Sequence, residues 1–276
     1  MSDGRSNSNG GGRETTAAVW AAVLGLTVGE AWLRRDEPKS PEMVERFRAT
    51  LAQVERGVPF QYAAGRVGFR TLDLMIDPRA LIPRPETEGL VELVLALDGA
   101  PGGLAADIGT GSGCIALALA TEGSFDRVIA VECSAAAAAL ARENVALVQP
   151  SPRTKVEIRE GNLLRPLAGE RCRVIVSNPP YLTEAEYEAL APSVKQFEPR
   201  EALVSGPDGL AASRALLEGA AAMLEPGGVL ALEIDERRGD AIRALAHQSG
   251  WARIDVHDDL FGRPRYALAF SHPREA

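Results

Sequence analysis

Asn178-Pro179-Pro180-Tyr181 brings together a carboxamide, two prolines that carry carbonyls but no N–H, and an aromatic face. The preceding run, Arg173-Val174-Ile175-Val176-Ser177, reads as a buried β-strand. A strand ending this way is suited to holding a planar NH₂ group so that its nitrogen can be alkylated. The lone pair of such a nitrogen is delocalised. Acceptors on its N–H bonds and a π-face near the developing charge favour the pyramidal, nucleophilic form, which is stabilisation aimed at the transition state. The same residues also serve as a stiff loop, because proline fixes its own φ and restricts the residue before it.

A second constellation supplies a place for the alkylating group. Asp107-Ile108 ends an apolar stretch and runs into Gly109-Thr110-Gly111-Ser112-Gly113 before a helical pattern. Glycines there permit a tight turn and a close approach to the backbone, with amides at the helix start facing a ligand. Val128-Ile129-Ala130-Val131 then ends in Glu132, 23 residues after Gly109. One βαβ step separates the two positions, so Glu132 can accept hydrogen bonds from both hydroxyls of a ribose. No Gly-Lys-Ser/Thr follows the turn, which excludes a Walker loop, and GxGxG is shorter than the dinucleotide GxGxxG.

The positioning elements alternate. Strands are expected over residues 104–108, 128–131, 156–158, 174–176 and 229–234. Helices are expected over 114–120, 135–147, 210–224 and 240–249, and a closing strand pair over 254–257 and 266–270. A turn is expected at Pro226-Gly227-Gly228. This rhythm predicts an α/β fold, a doubly wound, mainly parallel Rossmann-like sheet covered on both faces. In such a sheet, loops after the first, second and fourth strands share one edge. A donor at the glycine turn then faces an NH₂ group at Asn178, and alignment drives the transfer without a metal or a covalent intermediate.

Upstream, residues 1–13 are rich in Ser, Gly and Asn and read as a disordered tail. Residues 14–64 form a helical domain suited to gripping a substrate. Trp20, Val23, Leu24, Trp32 and Leu33 supply one apolar face, and Ser40 caps a helix carrying Met43, Val44, Phe47, Leu51 and Val54. Residues 65–84 are a linking β-hairpin with a proline-stiffened loop, and 85–276 the catalytic domain.

The chain has 276 residues, a formal net charge of -8 and a pI of about 5.1. That balance gives no general attraction to nucleic acid, so nucleic acid is an improbable direct substrate. Cys114, Cys133 and Cys172 show no metal-ligand spacing and read as buried thiols of a cytoplasmic protein. The apolar run at residues 17–26 reads as an amphipathic helix, so neither a signal peptide nor a membrane span is expected.

Six segments together resemble one family: FQYAAG at 60–65, LIPRPETE at 81–88, DIGTGSGCIALALA at 107–120, IVSNPPY at 175–181, FEPREAL at 197–203 and LEPGGVLALEI at 224–234. The chain resembles the release factor glutamine methyltransferases, class I enzymes that use S-adenosyl-L-methionine. The resemblance implies N5-methylation of the glutamine in the Gly-Gly-Gln motif of peptide chain release factors, in translation termination. It implies that Gly109, Thr110, Gly111, Ser112 and Gly113 wrap the cofactor, Glu132 holds its ribose and Leu163 flanks it. It implies that Asn178 meets both cofactor and substrate, that Asn178, Pro179, Pro180 and Tyr181 bind substrate, and that Asn178, Pro179 and Tyr181 act in transfer.

Three other readings stand beside it. A ribosomal-protein glutamine calls for the same chemistry. Adenine N6 offers a similar exocyclic amine but needs base flipping and a basic groove. A non-catalytic module fits the departures at Glu132, Asn162 and Leu163, where the family more often has Asp, a carboxylate and an aromatic. Arg84 reads either as a substrate contact or as a partner of Glu86 or Glu88, and Glu198 as a loop-ordering residue or a turn flank.

Overall fold

A computed structural model describes residues 10–97, 102–149 and 151–273. The chain divides into two compact units, Met1–Arg66 and Val67–Ala276.

The first unit is helical: α1 (Gly10–Leu24), α2 (Val28–Leu33), α3 (Pro41–Glu55) and α4 (Phe60–Ala64). Thr27 and Glu30 form a capping box on α2, and the Ser40 hydroxyl accepts the Met43 N–H at the start of α3. Each cap satisfies a donor that the first helical turn leaves open. Trp20 stacks on Phe47 at 4.2 Å between ring centroids, joining α1 to α3. Two expectations change. Helix α1 already begins at Gly10, inside the stretch read as a tail; residues 1–9 lie outside the described residues. Leu33 is 73% exposed, and Trp32, 59% exposed, lines a shallow pocket with Ala17, Trp20 and Leu24.

A hairpin, β1 (Arg66–Phe69) and β2 (Leu72–Met75), precedes α5 (Pro85–Leu95). Then come β3 (Leu104–Ile108), α6 (Cys114–Glu122), β4 (Arg127–Glu132), α7 (Ala135–Leu147), β5 (Val156–Glu160) and β6 (Cys172–Ser177). Two short helices follow, α8 (Glu184–Glu188) and α9 (Pro192–Phe197), then α10 (Ala211–Gly219), β7 (Leu224–Glu233), α11 (Gly239–Gln248), β8 (Arg253–Asp258) and β9 (Pro264–Phe270).

The seven strands lie in the order β5-β4-β3-β6-β7-β9-β8, parallel except for β9, which runs antiparallel to β7 and β8. All five residues of β3 are buried, as a sheet covered on both faces requires. Leu104, Ala106 and Ile108 join a core with Leu216, Leu217 and Ile242 of α10 and α11. On the other face α5, α6 and α7 pack against the sheet, and α5 against α6. The expected turn at Pro226-Gly227-Gly228 falls within the bounds of β7 as a bulge: Gly227 has φ +74°, and between the pairs Cys172–Leu224 and Val174–Val229 β7 carries three residues more than β6. The left-handed glycine absorbs that kink without ending the strand.

Candidate active site

Strand register assembles the site. Ile108 at the end of β3 is paired with Val131 of β4 and Ser177 of β6, and Ser177 in turn with Leu232 of β7. The next residue in each strand or loop is therefore Gly109, Glu132, Asn178 or Glu233. These four stand in one row along the carboxyl edge, with β3 at the switch point where ligands enter an open α/β sheet. The Ser177 hydroxyl donates to the Ile108 carbonyl at 2.7 Å and locks the middle of the row.

Gly109 and Gly111 adopt φ of +72° and +56°, and a side chain at Gly109 would point into open space, so backbone conformation rather than crowding demands glycine there. The amides of Gly109 and Thr110 donate to the Val131 carbonyl at 2.8 and 3.0 Å, and that of Gly111 to Glu132 at 2.9 Å. These three turn amides are therefore partnered within the protein. Buried N–H groups need partners, and the adjacent end of β4 provides them. The hydroxyls turn inward too. Thr110 donates to Asp107 at 2.5 Å, and Ser112 is 1% exposed with its carbonyl held by Asn144.

A cleft opens above the row. Gly109, Gly111, Glu132 and Asn178 line it, so the structure brings together the glycine turn, the acid that ends β4 and the carboxamide. Thr110, Ser112 and Gly113 shape the turn without lining the cleft. Leu163 does not reach it either: the chain after β5 turns through a left-handed Leu163, φ +47°, whose side chain packs on the core. Pro179 is buried, and Pro180 and Tyr181 are half-buried outside the cleft lining. Leu182 pairs with the segment at Leu203–Ser205 through bonds of 2.9 and 2.8 Å, which fastens the Asn-Pro-Pro-Tyr loop.

Sequence reading missed the cleft's other walls. Arg79, Ala80 and Leu81 form one, and Pro199, Glu201 and Ala202 another. The signal lay in the segments LIPRPETE and FEPREAL, whose roles no periodicity reveals. Arg84 pairs with Glu198, not with Glu86 or Glu88 of its own helix, because the helix axis carries those two side chains elsewhere. Glu88 instead accepts the Arg70 N–H at 2.9 Å. Cys133 is exposed at the cleft rather than buried, since it follows β4 where the chain leaves the sheet.

Two family models match: "Methyltransferase small domain" over residues 88–196 and "PrmC N-terminal domain" over 9–65. A release factor glutamine methyltransferase of Xylella fastidiosa is 44% identical over 88% of each chain. One of Moorella thermoacetica is 42% identical over 91% of this chain and 88% of its own. The chain belongs to the release factor glutamine methyltransferase family. A methyltransferase structure from Pyrococcus furiosus, 23% identical, superposes over 75% of this chain and 92% of its own with a TM-score of 0.57, which shows the Rossmann-like methyltransferase fold. Members of this family are methyltransferases that use S-adenosylmethionine, and the edge suits that cation. Asp107 Oδ1 is buried with no hydrogen-bond partner among the described residues. Burial foremost, and the Glu132 charge, push the Asp107 carboxyl up to about 7. Glu233 is likewise pushed up to about 7 by burial. Buried carboxyls raised in this way gain from a nearby positive charge such as a sulfonium or an ammonium. Among the described residues no cluster of side chains could hold a metal ion, and no helix is long and apolar enough to cross a membrane.

Proposed function

We propose that this protein transfers a methyl group from S-adenosylmethionine to the side-chain amide nitrogen of a glutamine in peptide chain release factors, the glutamine of their Gly-Gly-Gln motif. The observation that carries the reading is the shared cleft of Gly109, Glu132 and Asn178, within a chain 44% identical to a release factor glutamine methyltransferase. When bound, S-adenosylmethionine supplies a methyl group on a sulfonium sulfur. Gly109 and Gly111 leave room beside the turn, and Glu132 accepts from the ribose while it also holds the Gly111 amide. Asn178 accepts an N–H of the substrate carboxamide through its side-chain oxygen, with the Pro179 carbonyl as a second acceptor. Two acceptors on one NH₂ group fix its plane and favour loss of amide delocalisation as the N–C bond forms. The helical unit selects the protein substrate, and the cell compartment is the cytoplasm, where release factors act.

Incubation with labelled S-adenosylmethionine and purified release factors, ribosomal proteins and DNA, followed by mass spectrometry of the labelled residue, tests this. Label on the Gly-Gly-Gln glutamine is expected. Label confined to another glutamine or to adenine overturns it.

A further inference from the structure

We propose that Thr87 and Glu233 are positioning residues that set which way the Asn178 carboxamide faces, through a one-directional hydrogen-bond chain ending on the Glu233 carboxylate. The inference rests on Asn178 receiving the substrate amide, as proposed above. Asn178 Nδ2 donates to Thr87 Oγ1 at 3.0 Å, and the Thr87 hydroxyl donates to Glu233 Oε2 at 2.7 Å. An ionised carboxylate only accepts, so it draws the single Thr87 proton. The Thr87 oxygen then offers only lone pairs to Asn178, and only the NH₂ end of the carboxamide can meet it. The carbonyl oxygen is left for the cleft.

The two ends of a carboxamide are nearly the same shape, so packing alone cannot choose between them. Hydrogen-bond polarity can. A flipped Asn178 would turn N–H bonds toward the N–H bonds of a substrate amide and repel it. The chain is also costly to keep. Thr87 is 2% exposed and Glu233 1% exposed, and no ion pair to Glu233 forms within 4.0 Å among the described residues. Burying a carboxylate on one hydroxyl is a poor way to stabilise a fold, since an apolar pair would fit the same space without the desolvation penalty. Such a local violation of packing rules is expected where function requires it.

Protonation offers an independent readout. Burial pushes the Glu233 carboxyl up; Arg84 and Arg265 act in the opposite sense and Glu86 in the same sense. Tyr181, Tyr266 and Cys114 also feel its charge. A protonated Glu233 can donate to Thr87 and reverse the chain, so ionisation favours the productive orientation.

The test uses the full-length protein. It measures kcat with a release factor at saturating S-adenosylmethionine, cofactor Kd by calorimetry, and proton exchange of the Asn178 side-chain NH₂ by NMR. T87V keeps the shape and removes the hydroxyl. Its kcat should fall about ten-fold or more, the scale of one lost hydrogen bond, with cofactor Kd within about two-fold. T87S should recover the rate to within about three-fold. E233Q, whose amide both donates and accepts, should lower kcat and flatten the rise in rate between about pH 6 and 8. Full rate in T87V, equal losses in T87V and T87S, or an unchanged pH profile in E233Q overturns the proposal. If T87V does not fold, the E233Q profile decides. The exchange measurement separates this inference from the assigned function. Slow exchange in the parent and T87S, and fast exchange in T87V, is expected whether or not any glutamine is methylated; equal exchange in all three refutes the chain.

Discussion

Arg84 Nη2 lies 2.7 Å from both carboxylate oxygens of Glu198. The pair ties the proline-flanked loop before α5 to the loop after α9, and both loops wall the cleft. The Glu198 side chain is 2% exposed and that of Arg84 34%. Removing the arginine therefore strands a buried carboxylate, whereas removing both charges does not. R84A should lose about 2 kcal/mol of stability, and weaken cofactor binding several-fold as the walls loosen. R84A/E198Q should recover part of the stability. Urea titration and calorimetry measure both, and an R84A midpoint equal to the parent's refutes the strap.

Asp107 and Glu233, both raised to about 7 by burial, predict how the unliganded protein responds to pH. In the unfolded chain these carboxyls titrate near about 4. Between about pH 4 and 7 the folded state holds the extra protons, so stability falls as pH rises through that window and levels off above it. Carboxylates held below their usual range, such as Asp77 beside Arg79, act below this window. The unfolding free energy from urea titration should decline from about pH 5 to 7, by an amount on the order of a few kcal/mol in total, and the midpoint with it. S-adenosylmethionine should bind more tightly across the same rise, because its cationic centres favour the ionised acids. A midpoint flat over that range, or affinity that falls with pH, contradicts the assignment.

Much of this was legible because the motif residues fix backbone behaviour locally. Glycines at 109, 111 and 113 and the acid at 132 announce a strand-turn-helix step and its register. Asn178 follows an apolar run whose strand character periodicity already shows. What stayed hidden depends on distant partners. The carboxamide of Asn144, 1% exposed, bonds both backbone polar groups of Met75 and the Ser112 carbonyl, fastening the hairpin to the glycine turn. Within its own helix it reads as one more polar residue after Arg142 and Glu143. Thr87 and Glu233 lie 146 positions apart. Only the pairing of Ser177 with Leu232 puts Glu233 beside Asn178. The inward hydroxyl of Thr110, which donates to Asp107, was missed for the same reason: the loop's own donors must be satisfied before any ligand is counted.

Asn178 separates two ideas of what the site requires: any acceptor at that position, or a carboxamide with a donor on one side and an acceptor on the other. N178A removes both ends and should reduce kcat about a hundred-fold or more, the usual scale for losing one transition-state hydrogen-bond group. N178D decides between the two ideas. Aspartate keeps an acceptor of the same size facing the cleft. It cannot donate to Thr87, and it sets a second carboxylate one strand from Glu233 with a single hydroxyl between them. Like charges at that distance raise the cost of ionising both. N178D should therefore be as impaired as N178A near pH 7, although its acceptor remains, while both variants bind S-adenosylmethionine within about three-fold of the parent because Gly109, Gly111 and Glu132 are untouched. Single-turnover rates with the release factor, beside calorimetry of the cofactor, measure this. Near-parental transfer by N178D would mean that a lone acceptor suffices and that the donor side of residue 178 has no part in the reaction.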